Sequence, residues 1–139
     1  MTLPREIEPK LVLRPQDADV LEVSALLGVS PKKARQRSIY FDTPDQCLLG
    51  AGLSLRIRRS GRKRIQTVKA YGTKSVGLLE RPEWEREVFD DTPIIDDATP
   101  IRALLGVRVA DLAPAFEVHV ERSAWNAHEG DTTIELVID

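Results

Sequence analysis

The chain has 139 residues, of which 42% are hydrophobic and 30% charged, and a net charge of −2. That is one domain's length, enough to bury a core without disulfides or a structural metal, and too apolar for a wholly disordered chain. The single cysteine, Cys47, excludes an internal disulfide and a cysteine-clustered metal site, no apolar run nears the roughly 18 residues of a membrane helix, and the first ten residues lack a signal-peptide pattern, so the expected compartment is the cytoplasm.

In chain order, Glu6 to Leu13 alternates weakly and predicts a strand. Gln16 to Leu27 places Val20, Val23, Leu26 and Leu27 at helical spacing, with Gly28 as a stop. Pro31 to Gln36 reads as a basic connector, Arg37 to Phe41 as a short strand, Thr43-Pro44-Asp45 as a turn and Cys47 to Ala51 as a helical turn. Leu53 to Arg59 alternates Leu53, Leu55 and Ile57 with Ser54, Arg56 and Arg58, a clear strand. Ser60-Gly61-Arg62-Lys63 predicts a hairpin turn, and Arg64 to Tyr71 the returning strand. Glu83 to Phe89 is another strand, and Asp97 to Leu105 a short helix ending at Gly106. Ala115 to Trp125 and Thr133 to Asp139 complete the strands, around a turn at His128 to Asp131. About seven strands joined mostly by hairpins, with two or three helices, imply an α+β domain: an antiparallel sheet or barrel with helices packed outside.

The near-neutral total hides sorted charge. Arg56 to Lys74 holds eight bases and no acid; Glu80 to Asp97 holds eight acids against Arg81 and Arg86. The period of two in a strand puts Glu6, Glu8 and Lys10 on one face, Arg56 and Arg58 on one face, Lys69 with Ile65 and Thr67, Glu83 with Glu85 and Glu87, and Glu135 with Asp139. A solvated sheet face mixes signs to gain cross-strand pairs. Sorting by strand instead suits a sheet curled with its charged face inward, where arginine and lysine bind the oxygens of a polyanion and carboxylates hold a hard cation such as Mg2+.

Other residues have plainer readings. His119 is a strand residue and His128 a turn residue. Cys47 reads as a small apolar residue, and Trp84 and Trp125 as core of the outer face. The basic run could meet nucleic acid, but only Tyr71 interleaves it, so that reading ranks below a small polyphosphate.

Several motifs are similar to those of the CYTH domain, the triphosphate tunnel metalloenzymes: Glu6-Ile-Glu-Pro-Lys10, Tyr40-Phe-Asp-Thr-Pro44, Leu53-Ser-Leu-Arg-Ile-Arg58, Thr67-Val-Lys69, Trp84-Glu-Arg-Glu87, Arg122 in Val120-Glu-Arg-Ser123, and Ile134-Glu-Leu-Val-Ile-Asp139. The resemblance runs through residues 1–139 as a single domain and implies an antiparallel β-tunnel that binds triphosphates with a divalent metal. It implies that Glu6 and Glu8 are metal-site carboxylates and, with Lys10, catalytic. Lys10, Arg56, Arg58, Lys69 and Arg122 bind the phosphate chain. Glu85 and Glu87 lie in the tunnel, and Glu87, Glu135 and Asp139 join Glu6 and Glu8 at Mg2+ or Mn2+.

The same resemblance implies a triphosphatase, foremost for inorganic triphosphate. A non-catalytic polyphosphate- or nucleotide-binding module is the alternative, followed by a class IV adenylyl cyclase or thiamine triphosphatase. The family pattern continues with two more strands bearing a further Glu-x-Glu pair. A chain stopping at Asp139 is therefore expected to be incomplete at the C-terminus, with a tunnel open on one side and an edge for strand exchange or a homodimer.

Overall fold

A computed structural model describes residues 5–23, 30–71, 73–75 and 78–139, with side chains described over 9–20, 30–71, 81–128 and 130–139. The central hairpin shows why the sheet forms. In β3 (Leu53–Ser60), Leu53, Leu55 and Ile57 are buried while Ser54, Arg56 and Arg58 are half-buried. β4 (Lys63–Ala70) returns through a two-residue turn at Gly61 and Arg62, and Gly61 takes the positive φ of 60° that such a turn asks of its first residue. Neither face of this hairpin is bathed in water, so the sheet must be covered on both sides or curl over one of them.

It does both. β2 (Lys32–Asp42) pairs antiparallel with β3 and with β7 (Ala113–Glu129), β8 (Thr132–Ile138) pairs with β7, and β6 (Leu78–Val88) pairs with β4 and with β1 (Arg5–Pro9). The order across the sheet is β1-β6-β4-β3-β2-β7-β8, and the short β5 (Thr73–Ser75) lies beside β6. The outer face is apolar: Ile39, Phe41, Leu55, Ile57, Val68 and Val88 bury against Leu48 of α2 (Cys47–Gly50) and Ile101 and Leu105 of α3 (Ile101–Leu105). Gln66, 2% exposed on that face, donates to the Ile94 carbonyl at 2.9 Å and accepts from the Ile94 amide at 2.7 Å. These bonds, with Arg86–Asp96 at 2.6 Å and Arg64–Asp91 at 3.0 Å, lash the 89–100 segment over the sheet. The inner face is polar, and the sheet curls round it: the charge of Lys10, just beyond β1, still acts on Asp139, just beyond β8.

The architecture is the curled antiparallel sheet that the strand pattern predicts, and the described residues form eight strands rather than about seven. The basic segment 31–36 is not a connector. It is the first half of β2, because β7 runs beside it from Lys32 opposite Ala124 to Asp42 opposite Ala113. β6 begins before Glu83 because β1 pairs with its first half while β4 pairs with its second. β7 extends past Trp125 and takes in His128, and α3 starts only at Ile101, with a 3-10 helix (Gly106–Asp111) after it. α1 is Pro15–Val23, with the Arg14–Asp17 pair at its start. The predicted continuation through Leu26 and Leu27 to Gly28 lies outside the described residues. Among those residues, no helix is long and apolar enough to cross a membrane.

Candidate functional site

The inner wall is assembled by strand register. Ser38 faces Arg58, and Tyr40 faces Arg56, across the β2–β3 pair. Arg56 faces Thr67, and Ser54 faces Lys69, across β3–β4; Lys69 in turn faces Glu83 of β6. The alternation that buries Leu55 and Ile57 outside therefore drives Arg56 and Arg58 inward. Tyr40, Ser54, Arg56, Thr67, Lys69 and Arg81 enclose a cavity of about 170 Å3.

The cations are only partly compensated. Arg58 donates from Nε to the Ser38 hydroxyl at 2.9 Å, and Ser38 is itself 2% exposed. Arg56 reaches the Tyr40 hydroxyl at 3.5 Å, while its Nε is buried with no partner among the described residues. Burial, then the charges of Arg56 and Arg122, hold the Arg58 guanidinium below its usual pKa. Lys69 sits 3.8 Å from Glu83, with side-chain exposures of 11% and 17%. Arg122 grips Asp139 with two bonds, 2.6 and 2.8 Å, and this pair, followed at longer range by Arg58 and Lys10, keeps the Asp139 carboxyl below the ordinary carboxylate value.

The structure thus gathers Arg56, Arg58 and Lys69 on adjacent strands and brings the Arg122–Asp139 pair and Lys10 within electrostatic range of them. The carboxylates are less gathered. Glu85 and Glu87 are exposed on β6, opposite Thr67 and Ile65, and Glu135 is exposed on β8 opposite Asn126. The backbone register sets Glu6 opposite Arg81 and Glu8 opposite Leu79; the side chains of both lie outside the described residues. Among the described residues no three His, Cys, Asp or Glu converge on a point that could hold a metal ion, and Asp139 is engaged by Arg122. The described donors therefore do not by themselves fit a divalent cation. Sequence reasoning passed over Ser38, Tyr40 and Arg81, and it left Glu83, less exposed than Glu85 and Glu87, off the predicted site; the register of β6 on β4, invisible without the structure, is what sets Glu83 against Lys69.

Asp91 and Asp96, from the acidic run, are not at this wall. They pair with Arg37, Arg64 and Arg86 outside the sheet. His119 is a strand residue bonded to Glu117, and His128 meets Thr133 across β7–β8.

An apolar cleft of about 530 Å3 adjoins the cationic cavity and shares Tyr40 and Ser54 with it. Tyr40 and Phe116 stack along its side, centroids 4.7 Å apart and planes 13° apart, and Tyr71 and Leu49 border it.

Residues 4–139 match the family model described as the CYTH domain. Three solved structures share the fold. A Hippeastrum protein, described as a candidate adenylyl cyclase with a dominant triphosphatase activity, is 16% identical with a TM-score of 0.61, over 90% of this chain and 73% of its own. A candidate adenylate cyclase from Bacillus halodurans is 16% identical with a TM-score of 0.53, over 97% of this chain and 71% of its own. One from Vibrio parahaemolyticus is 14% identical with a TM-score of 0.54, over 96% and 67%.

Proposed function

The chain belongs to the CYTH domain family, and from that premise we propose that it binds a triphosphate along its cationic inner wall and hydrolyses it, inorganic triphosphate being the simplest substrate that fits. The observation that carries this reading is Arg58. It is half-buried beside Arg56 and Arg122, and among the described residues its bond is to the neutral Ser38 hydroxyl, a local deficit of negative charge. A triphosphate carries about four charges and answers that deficit, with guanidinium forks matched to its oxygens. Arg56, Arg58, Lys69, Arg122 and Lys10 bind the chain, and Arg122 exchanges Asp139 for a phosphate oxygen. Water attacks the terminal phosphorus in line, the P–O bond to the bridging oxygen breaks, and phosphate and diphosphate leave; the wall stabilises charge on the equatorial oxygens. The dominant triphosphatase activity of the Hippeastrum protein supports hydrolysis ahead of cyclisation.

Dependence on Mg2+ or Mn2+ is the finer part of the proposal. Glu6 and Glu8, with Glu87, Glu135 and Asp139, are oxygen donors of the kind such an ion takes. The test is calorimetric titration of triphosphate with and without Mg2+, with released phosphate assayed in the same cell. Saturable binding with Mg2+-dependent release is expected. Binding without release under either condition leaves a binding module, and no binding removes the proposal.

The stacked Tyr40–Phe116 cleft favours a second reading, in which the triphosphate carries an organic ring. A nucleoside or thiamine triphosphate would then outcompete inorganic triphosphate, and Phe116→Ala would abolish the difference.

A further inference from the structure

The outer face carries a row of bases that the inner wall does not use. Strand register sets Arg64 of β4 opposite Arg59 of β3, Arg59 opposite Arg37 of β2, and Arg37 opposite His119 of β7. Each arginine lies two residues from an outer-face residue, Gln66, Ile57 or Ile39, and so shares that face. Four adjacent strands thus present bases side by side over about 14 Å. Like charges directly opposite one another destabilise a sheet, so the row asks for acids.

The chain supplies too few of them. Asp91 bridges Arg64 at 3.0 Å and Arg37 at 3.6 Å, and Glu117 accepts from Arg37 at 3.0 Å and meets His119 at 3.1 Å. Arg59, between Arg37 and Arg64, has no acid among the described residues; its one bond there runs from Nε to the Gly61 carbonyl at 3.3 Å. A groove of about 410 Å3 opens beside it, bordered by Arg35, Arg37, Arg59, Gly61 and His119, with Glu121 as its acid. Glu121 is taken by Arg35 at 3.0 Å, in a pair that is mostly exposed. At the far end of the row Val88 faces Arg64, and Phe89 after it is 92% exposed.

Arginines beside an exposed aromatic ring are the composition of a protein interface. The charge surplus is small, since Arg35, Arg37, Arg59 and Arg64 stand against Asp91, Glu117 and Glu121. A nucleic-acid backbone asks for many more uncompensated cations. A few carboxylates on an extended segment match the row. Asp91 displays the chemistry, because a carboxylate from the loop after β6 already spans two of the guanidiniums. Ion pairs this exposed contribute little, so an incoming carboxylate displaces them readily.

We infer that this outer face, centred on Arg59, is a docking surface for an extended acidic segment of a protein partner. Carboxylates of that segment take Arg59 and Arg35 and displace Asp91 from Arg37, and an apolar residue of it meets Phe89. The inference is independent of the triphosphate reading of the inner wall.

The test titrates a short labelled peptide of glutamates with a single leucine, read by fluorescence anisotropy at low salt, with and without saturating triphosphate. The parent is expected to bind it equally well in both conditions. A variant carrying Arg35→Ala and Arg59→Ala is expected to bind at least about tenfold more weakly, since two charge-assisted contacts are lost, with its melting temperature and triphosphate affinity unchanged. Asp91→Asn, which frees Arg37 and Arg64 for the peptide, is expected to bind it tighter than the parent does. No binding by the parent, or equal binding by the double variant, overturns the docking surface. So does an affinity that fails to rise in Asp91→Asn. Loss of the peptide on adding triphosphate would place it on the inner wall and overturn the inference, and a homopolymeric RNA that competes as well as the peptide would overturn it by making the face a general polyanion surface.

Discussion

Ser38 and Arg58 stand directly opposite each other across β2 and β3, and the Arg58 Nε donates to the Ser38 hydroxyl at 2.9 Å. That bond fixes a guanidinium at a position where burial and two other arginines disfavour its charge. The ligand-free wall keeps Arg58 aimed and its charge ill-satisfied, an arrangement that serves an incoming anion more than it serves the fold.

Replacing Arg58 with alanine is therefore expected to weaken triphosphate binding by about 2–4 kcal/mol, since a charge-assisted contact in a desolvated site is lost. Arg58→Lys should recover only part of it, because an ammonium cannot hold Ser38 and a phosphate in one planar geometry. The melting temperature of the ligand-free Arg58→Ala protein should not fall. Calorimetry and a thermal melt read the two effects separately, and a lower melting temperature with unchanged affinity would assign Arg58 to the fold.

Glu83 should behave in the opposite sense. It faces Lys69 in the β4–β6 register, with the pair 3.8 Å apart and mostly enclosed. Glu83→Gln leaves Lys69 short of its counter-charge, and about 1–3 kcal/mol of stability is expected to go with it. Triphosphate supplies the missing charge, so saturating ligand should raise the melting temperature of the variant by more than it raises the parent's. Equal ligand-induced shifts would place Lys69 outside the binding wall.

Asp42, in Tyr40-Phe-Asp-Thr-Pro44, organises the turn beyond β2. Its Oδ1 accepts from the Thr43 amide at 2.8 Å and the Leu48 amide at 2.9 Å, and its Oδ2 from the Leu49 amide at 3.1 Å. Thr43, 3% exposed, accepts from the Cys47 amide at 3.0 Å and donates to Asp45 at 2.7 Å, while Arg108 reaches Asp45 at 2.6 Å. The carboxylate thus caps α2, whose Leu48 plugs the core. Asp42→Ala is expected to cost about 1–2 kcal/mol in urea unfolding, with triphosphate affinity of the folded protein unchanged. A loss of affinity at full folding would give Asp42 a place in the site.

The strands were legible in sequence wherever one face is apolar, as in Leu53, Leu55 and Ile57, because burial imposes the period. The first half of β2 was not: Lys32, Lys33 and Arg35 carry no hydrophobic alternation, and the segment is a strand because β7 runs beside it, with Glu121 opposite Arg35. The same limit governs the site. Alternation assigns Arg56, Arg58 and Lys69 to one face, but only the register between strands decides that Lys69 meets Glu83 rather than Glu85 or Glu87, and that Ser38 and Tyr40 line the wall. Charge blocks misled where a loop folds back: Asp91 and Asp96 complete ion pairs outside the sheet, at a distance in sequence that no local pattern reports.

The outer face carries a pH-dependent element of its own. Glu117 accepts from Arg37 Nε at 3.0 Å and lies 3.1 Å from His119; bonds from Arg37 and then His119 pull its pKa from 4.5 down to about 2. Asp91 shares Arg37 at 3.6 Å, so Arg37 holds two acids. A carboxyl with a depressed folded-state pKa stabilises the fold fully above its unfolded value and loses that contribution as the pH falls toward the folded one. The stability that the parent holds over Glu117→Gln should therefore be constant above about 4.5 and shrink to nothing by about pH 2. Both partners are more than a third exposed, so the effect should be small and should diminish in high salt. Urea unfolding of parent and variant across that range is the measurement; a difference that grows on acidification would mean that Glu117 is bound to its partners more weakly in the folded protein than its geometry indicates.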